Sequence, residues 1–179
     1  MDLHQLQLTF HADEDRILLR ASFKSKSGEL QEMRAWLTRR LIGNMWPGVV
    51  RSLESQVRLE RPHAAHASAE IVNLEHHASV SEIKAKGNFS TPFESTVGAF
   101  PADGAPMLVS AVRFTVNAGK PLRVNFTPAQ GSGFEIAFSP TLLHGFCTLL
   151  QAAVRSAEWG IDLRLPDTAR VDYGARVLN

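Results

Sequence analysis

Residues 32–41, "EMRAWLTRRL", decide the reading of this chain, because two periodicities meet inside them. Up to Leu37 the residues alternate, with Met33, Ala35 and Leu37 set against Glu32, Arg34 and Trp36. Alternation sends the two sets to opposite faces of a strand. Beyond the junction the apolar positions become Leu41, Ile42, Met45, Val49 and Leu53, the spacing of a helix buried along one stripe. Thr38, between the two patterns, has the hydroxyl that an N-cap needs. Pro47 is expected to kink or interrupt the helix. Arg39 and Arg40 oppose the helix dipole, at a cost of a few tenths to about 1 kcal/mol each. Their place at the first turn calls for a compensating anion.

Upstream, residues 3–10 ("LHQLQLTF") alternate with Leu6, Leu8 and Phe10 on one side. The turn residues "HADED" lead into "RILLRASFK", with Ile17, Leu19, Ala21 and Phe23 on one face, and "SKSG" implies a hairpin. Downstream the same grammar returns: "MLVSAVRFTV", "PLRVNF" and "GFEIAF" alternate, and "SPTLLHGFCTLLQAAV" is a helix with Ser139 at the N-cap and Pro140 at the first position. Aligned on the two caps, Met33, Ala35 and Leu37 match Phe134, Ile136 and Phe138, while Ile42, Met45 and Val49 match Leu143, Phe146 and Leu150.

The expected fold is therefore α+β. Two tandem strand-strand-strand-helix repeats, about 3–58 and 107–158, form an antiparallel sheet of about six strands with both helices on one face. One domain, 1–179, is expected, its repeats joined by a linker over 59–106. That linker holds a middle helix from about 63 to 84 and an irregular Gly-, Pro- and Ser-rich stretch. "IDLRL" is expected as a last short strand in a loosely held tail, 160–179.

The 179 residues are 44% hydrophobic and 21% charged, with a formal net charge of +1. These values fit a soluble globular protein and give no global case for a polyanion partner, which must rest on where charges sit. The single cysteine, Cys147, forbids an intramolecular disulfide. No secretory leader is legible at the start, and no apolar run approaches a membrane span, so a cytoplasmic protein is expected.

If the apolar stripes meet the helices, the far face of the sheet carries Arg16, Arg20, Lys24, Arg34, Arg113 and Arg123 against Glu32 and Glu135. Trp36 shares that face. Cations neutralise phosphates and an aromatic plane stacks on a base, so the pattern suits single-stranded nucleic acid or another polyanion. Arg39 and Arg40 extend the track at a helix N-terminus. The plainer account is a solvated face whose cations discourage edge pairing, with Arg39 and Arg40 paired to Asp13, Glu14 and Asp15.

The middle helix would place His63, His66, Glu70 and His77 in one arc, a weak metal-ligand row that completes no hydrolase motif. A solvated histidine face is the simpler account. Cys147, among Phe146, Leu149 and Leu150, reads as a buried inert thiol, and "GSG" at 131–133 reads as a turn rather than a phosphate loop. No catalytic constellation and no cofactor motif emerges.

"DEDRILLR" together with "RAWLTRRL" resembles small proteobacterial proteins without an assigned activity, which implies a bacterial cytosolic protein. In architecture alone, a doubled strand-rich unit ending in a helix is similar to the Whirly and PUR single-strand nucleic-acid binders, which carry four strands per unit. The expectation is a non-enzymatic module that binds single-stranded nucleic acid or another polyanion across the basic sheet face. The alternative is a protein-interaction or self-assembly module, including a homo-oligomer, that uses the sheet face or an edge strand.

Overall fold

The computed structural model describes residues 2–86, 92–94, 99–100 and 105–166. Alternation becomes strand where it was expected. β1 (Asp2–His11), β2 (Arg16–Lys24) and β3 (Leu30–Thr38) form an antiparallel meander that runs straight into α1 (Arg39–Glu60). β5 (Met107–Thr115), β6 (Leu122–Pro128) and β7 (Phe134–Phe138) form a second meander that runs into α3 (Pro140–Ser156). Between them lie α2 (Ser68–Ala85) and the two-residue strand β4 (Ala99–Phe100).

The strands follow the order β1-β2-β3-β5-β6-β7, with β4 attached to β3. The sheet is mixed, which corrects the all-antiparallel expectation: β5 joins β3 in parallel through Ala35–Met107 and Trp36–Leu108, and β4 also runs parallel to β3. The helical passage after β3 returns the chain to the end from which β3 started, so the next strand enters in the same direction.

Register and parity agree across the sheet. Ile17 faces Leu37 and Leu19 faces Ala35 across β2 and β3, and Val124 faces Ile136 across β6 and β7; all six side chains are fully buried. They join Ile42, Val49, Leu143, Phe146 and Leu150 of α1 and α3 in one apolar cluster. Each large aliphatic or aromatic side chain withdrawn this way contributes about 1.5–3 kcal/mol of transfer free energy.

Three local expectations are corrected. α1 continues unbroken through Pro47, held by burial of Met45, Trp46 and Val49 on both sides of it. The middle helix does not begin at His63. A 3-10 turn, Pro62–Ala67, comes first, with Ala64 off helical geometry, and α2 starts at Ser68. "IDLRL" is not a strand. Its carbonyls are claimed by side chains instead: Gln151 Nε2 donates to Leu163 O at 2.7 Å and Trp46 Nε1 donates to Arg164 O at 3.0 Å. The segment thus ties α1 to α3, with Leu163 buried. The rest of the expected tail, 167–179, lies outside the described residues. Among the described residues no helix is long and apolar enough to cross a membrane.

Candidate anion-binding groove

The far face of the first meander is neither open nor uniformly basic. Arg20 and Arg34 both point at Glu32, donating from Nε to its Oε1 at 2.7 and 2.8 Å, and Glu32 is fully buried. Burial pushes that carboxyl up, but the hydrogen bonds and charges of the two guanidiniums outweigh burial and hold it below the usual carboxylate range. The Arg20 guanidinium also lies over the Phe93 ring, 4.1 Å from its centroid. Gln5 anchors the segment carrying Phe93: its Nε2 donates to Pro92 O and its Oε1 accepts from Glu94 N. A short piece of the irregular linker thus sits on β1 and β2 where solvent was expected.

The other expected site residues are dispersed. Trp36 packs edge-on against His11, ring centroids 5.1 Å apart. Arg16 pairs with Glu14 at 3.4 Å, Arg123 stands 3.8 Å from Glu135, and Lys24 is exposed at the far end of β2. Asp15, an expected partner for Arg39 or Arg40, instead accepts from Trp159 Nε1 at 2.6 Å. Arg39 and Arg40 are exposed and make no ion pair among the described residues; the Thr38 hydroxyl accepts from Leu41 N at 3.2 Å and supplies the cap.

Arg40 instead lines a depression away from the far sheet face. Two depressions, about 850 and 660 Å³, lie end to end along β5, between that strand and α1. The first is walled by Arg40 and Asn44 of α1, Ser110 of β5 and Gln130 of the β6–β7 turn. Arg51, Ser55 and Arg113 line the second. No carboxylate lines either one. Arg40, Asn44, Arg51 and Ser55 fall within about 60° of arc at 100° per residue, so α1 presents one polar stripe to the groove. That stripe was legible in the sequence; its facing wall, Ser110 and Arg113 of β5, depends on the parallel junction.

The floor follows from a small residue. A Cβ at Gly48 would lie 2.9 Å from the Phe114 ring, so the glycine lets α1 settle onto β5 at that point. Ala111, Val112, Arg113 and Phe114 are consecutive, yet all line the groove. Thr127 of β6, the partner of Ala111, lines the same depression, which therefore reaches across β5. Beyond Leu108 no described residue pairs with the edge of β5 that meets β3.

The expected histidine row does not assemble. His63 and His66 stand on the 3-10 turn, Glu70 and His77 on α2, all four exposed, and no group of three ligating side chains forms among the described residues. A different histidine contact appears at the α2–α3 interface. His76 Nδ1 and His144 Nδ1 are 3.3 Å apart, one donating and one accepting, and the buried Nε2 of His144 has no partner among the described residues. Burial, then the neighbouring His76, lowers the His144 pKa to about 4. Sequence reasoning missed this pair because its members lie on different helices. Cys147 is fully buried and its thiol is pushed up to about 12, so almost no thiolate exists near neutrality.

No protein-family model matches the chain, and neither the curated proteins nor the solved structures gave a significant match.

Proposed function

We propose that the chain is a non-enzymatic binding module whose anionic partner occupies the groove between α1 and β5. One observation carries this reading: Arg40 lines one, and Arg51 and Arg113 the other, of two depressions flanked by α1 and β5 that no carboxylate lines, whereas Glu32 neutralises the centre of the far sheet face. The first turn of α1, whose Arg40 and Leu41 line one end of the cleft, adds the positive end of the helix dipole. This answers the cost of Arg39 and Arg40: a bound anion compensates for cations that no carboxylate of the described chain meets.

A single-stranded nucleic acid laid across the far face is the second reading. Arg20 and Arg34 line a depression of about 490 Å³ there, and Lys24, Arg113 and Arg123 stand on the same sheet. It is weaker, because a phosphate would have to compete with Glu32 for both guanidiniums. The shared order of strand, strand, strand and hydroxyl-capped helix in the two halves further supports an internal duplication, in which only the first copy acquired arginines at the helix start.

Two labelled polyanions, oligothymidylate and poly-glutamate, test the site by fluorescence anisotropy at low and physiological salt. Replacing Arg40, Arg51 and Arg113 with alanine is expected to abolish binding at physiological salt and to flatten the log–log salt slope for the oligonucleotide by about 2. Loss of binding in R20A/R34A with no effect of the groove triple variant would transfer the site to the sheet face.

A further inference from the structure

We infer that the His76–His144 contact is an acid-sensitive latch: taking up a proton there releases α2 from α3, with the 3-10 turn Pro62–Ala67 as the pivot. The geometry suits only the neutral pair. With the two Nδ1 atoms 3.3 Å apart, one ring donates and the other accepts, so a single proton is shared at that contact. Whichever ring donates, charging His144 leaves a buried N–H on its Nε2 without an acceptor among the described residues. A proton on both rings would set two N–H donors against each other.

No carboxylate compensates for that charge. α3 carries none. On α2, Glu75 pairs with Arg61 and Glu82 with Lys86, while Glu70, His77 and Lys84 are exposed. α1 brings Glu54, held by Arg58, and Glu60, which accepts from Gln56 Nε2. His63 and His66 of the 3-10 turn, His4 of β1 and Glu135 of β7 are exposed, the last beside Arg123. Burial, then His77, lowers the pKa of His76 as well.

α2 is also the helix most weakly held. It buries only Ser68, Val72 and Ile83, whereas α1 and α3 bury eight residues each, and its first turn has no side-chain cap. Elements with so few buried contacts open at free energies below that of the whole fold. Ala64, off helical geometry, breaks the continuity between α1 and α2 where a pivot is needed. Across the interface a Cβ at Gly145 would lie 3.0 Å from Ile83 Cδ1, so α2 and α3 are in close contact there. Ile83 also closes a cavity of about 350 Å³ that it shares with Leu6, Phe146 and Leu149, and its withdrawal uncovers that apolar wall.

The test is hydrogen exchange of the full wild-type chain at pH 7 and pH 5, expressed as protection factors so that the intrinsic pH dependence cancels. With His144 at about 4 in the closed state against the ordinary 6.5 once released, opening is favoured about twentyfold on acidification. The expected result is a fall of about that size in α2, with protection in α1 and β2 unchanged and with no such fall in His144→Leu. Imidazole C–H resonances of the wild type give a readout that needs no variant: His144 is expected to titrate well below the exposed His63 and His66. Equal α2 protection at the two pH values, a parallel fall in α1, α2 and the sheet, the same fall in His144→Leu, or a His144 that titrates with His63 would each overturn the latch.

Discussion

At the scale of single residues, Glu32 is where polarity and burial collide. Its carboxylate is fully buried and satisfied by Arg20 and Arg34, whose side chains are 18% and 29% exposed. Removing one member of a wholly buried ion pair costs about 3–5 kcal/mol. Because the arginines can turn partly to water, Glu32→Gln is expected to lower the unfolding free energy by about 2–3 kcal/mol in urea titrations. The carboxyl is more acidic folded than unfolded, so its contribution is complete above the usual value of 4.5 and fades as pH falls through the folded value; the glutamine variant lacks that acid limb. His144 gives a second pH dependence. Its folded pKa of about 4 lies below the ordinary 6.5, so the unfolded chain takes up the proton first and stability declines between pH 6.5 and 4. The shift corresponds to about 3 kcal/mol at the acid end. In His144→Leu, thermal unfolding followed across that window is expected to show a visibly shallower pH slope. Strand parity placed Glu32 correctly on the far face, but nothing in the sequence told that a linker segment and two arginines would enclose it.

At the scale of elements, the two periods in residues 32–41 were sufficient for β3, Thr38 and α1, and the matching pattern was sufficient for β7, Ser139 and α3. Caps are legible because a hydroxyl at the change of period has one favourable use; Thr38→Ala is expected to cost about 1 kcal/mol in chemical denaturation. Pro47 does not interrupt α1, because burial of α1 on both sides outweighs one lost backbone bond. The start of α2 misled because the alanines and histidines of 62–67 favour helix without specifying an α rather than a 3-10 turn. Gly131 turns the chain at φ +87°, as "GSG" implied, yet Gly133 matters more: a Cβ there would lie 2.1 Å from the Phe126 carbonyl oxygen. Gly133→Ala must therefore push β6 and β7 apart, and soluble yield or melting temperature should drop far more than in Gly43→Ala, where the added carbon meets nothing.

At the scale of the whole molecule, the sequence carried the strand-rich halves and their helices but not the way they join. Only two residue pairs link β3 to β5, too short a contact for composition to announce, and that junction both makes the sheet mixed and leaves the rest of the β5 edge beside α1. The arginines of α1 and β5 were each visible along the chain; their place in the two depressions was not, because it is created by the parallel entry of β5. Backbone amide mapping of the isotopically labelled protein with unlabelled poly-glutamate at low salt tests the central claim most directly. The account predicts shifts concentrated at Arg40, Asn44, Arg51, Ser110 and Arg113, removed by alanine at the three arginines. Shifts confined to Gln7, Arg20 and Arg34, or none at all, would contradict it.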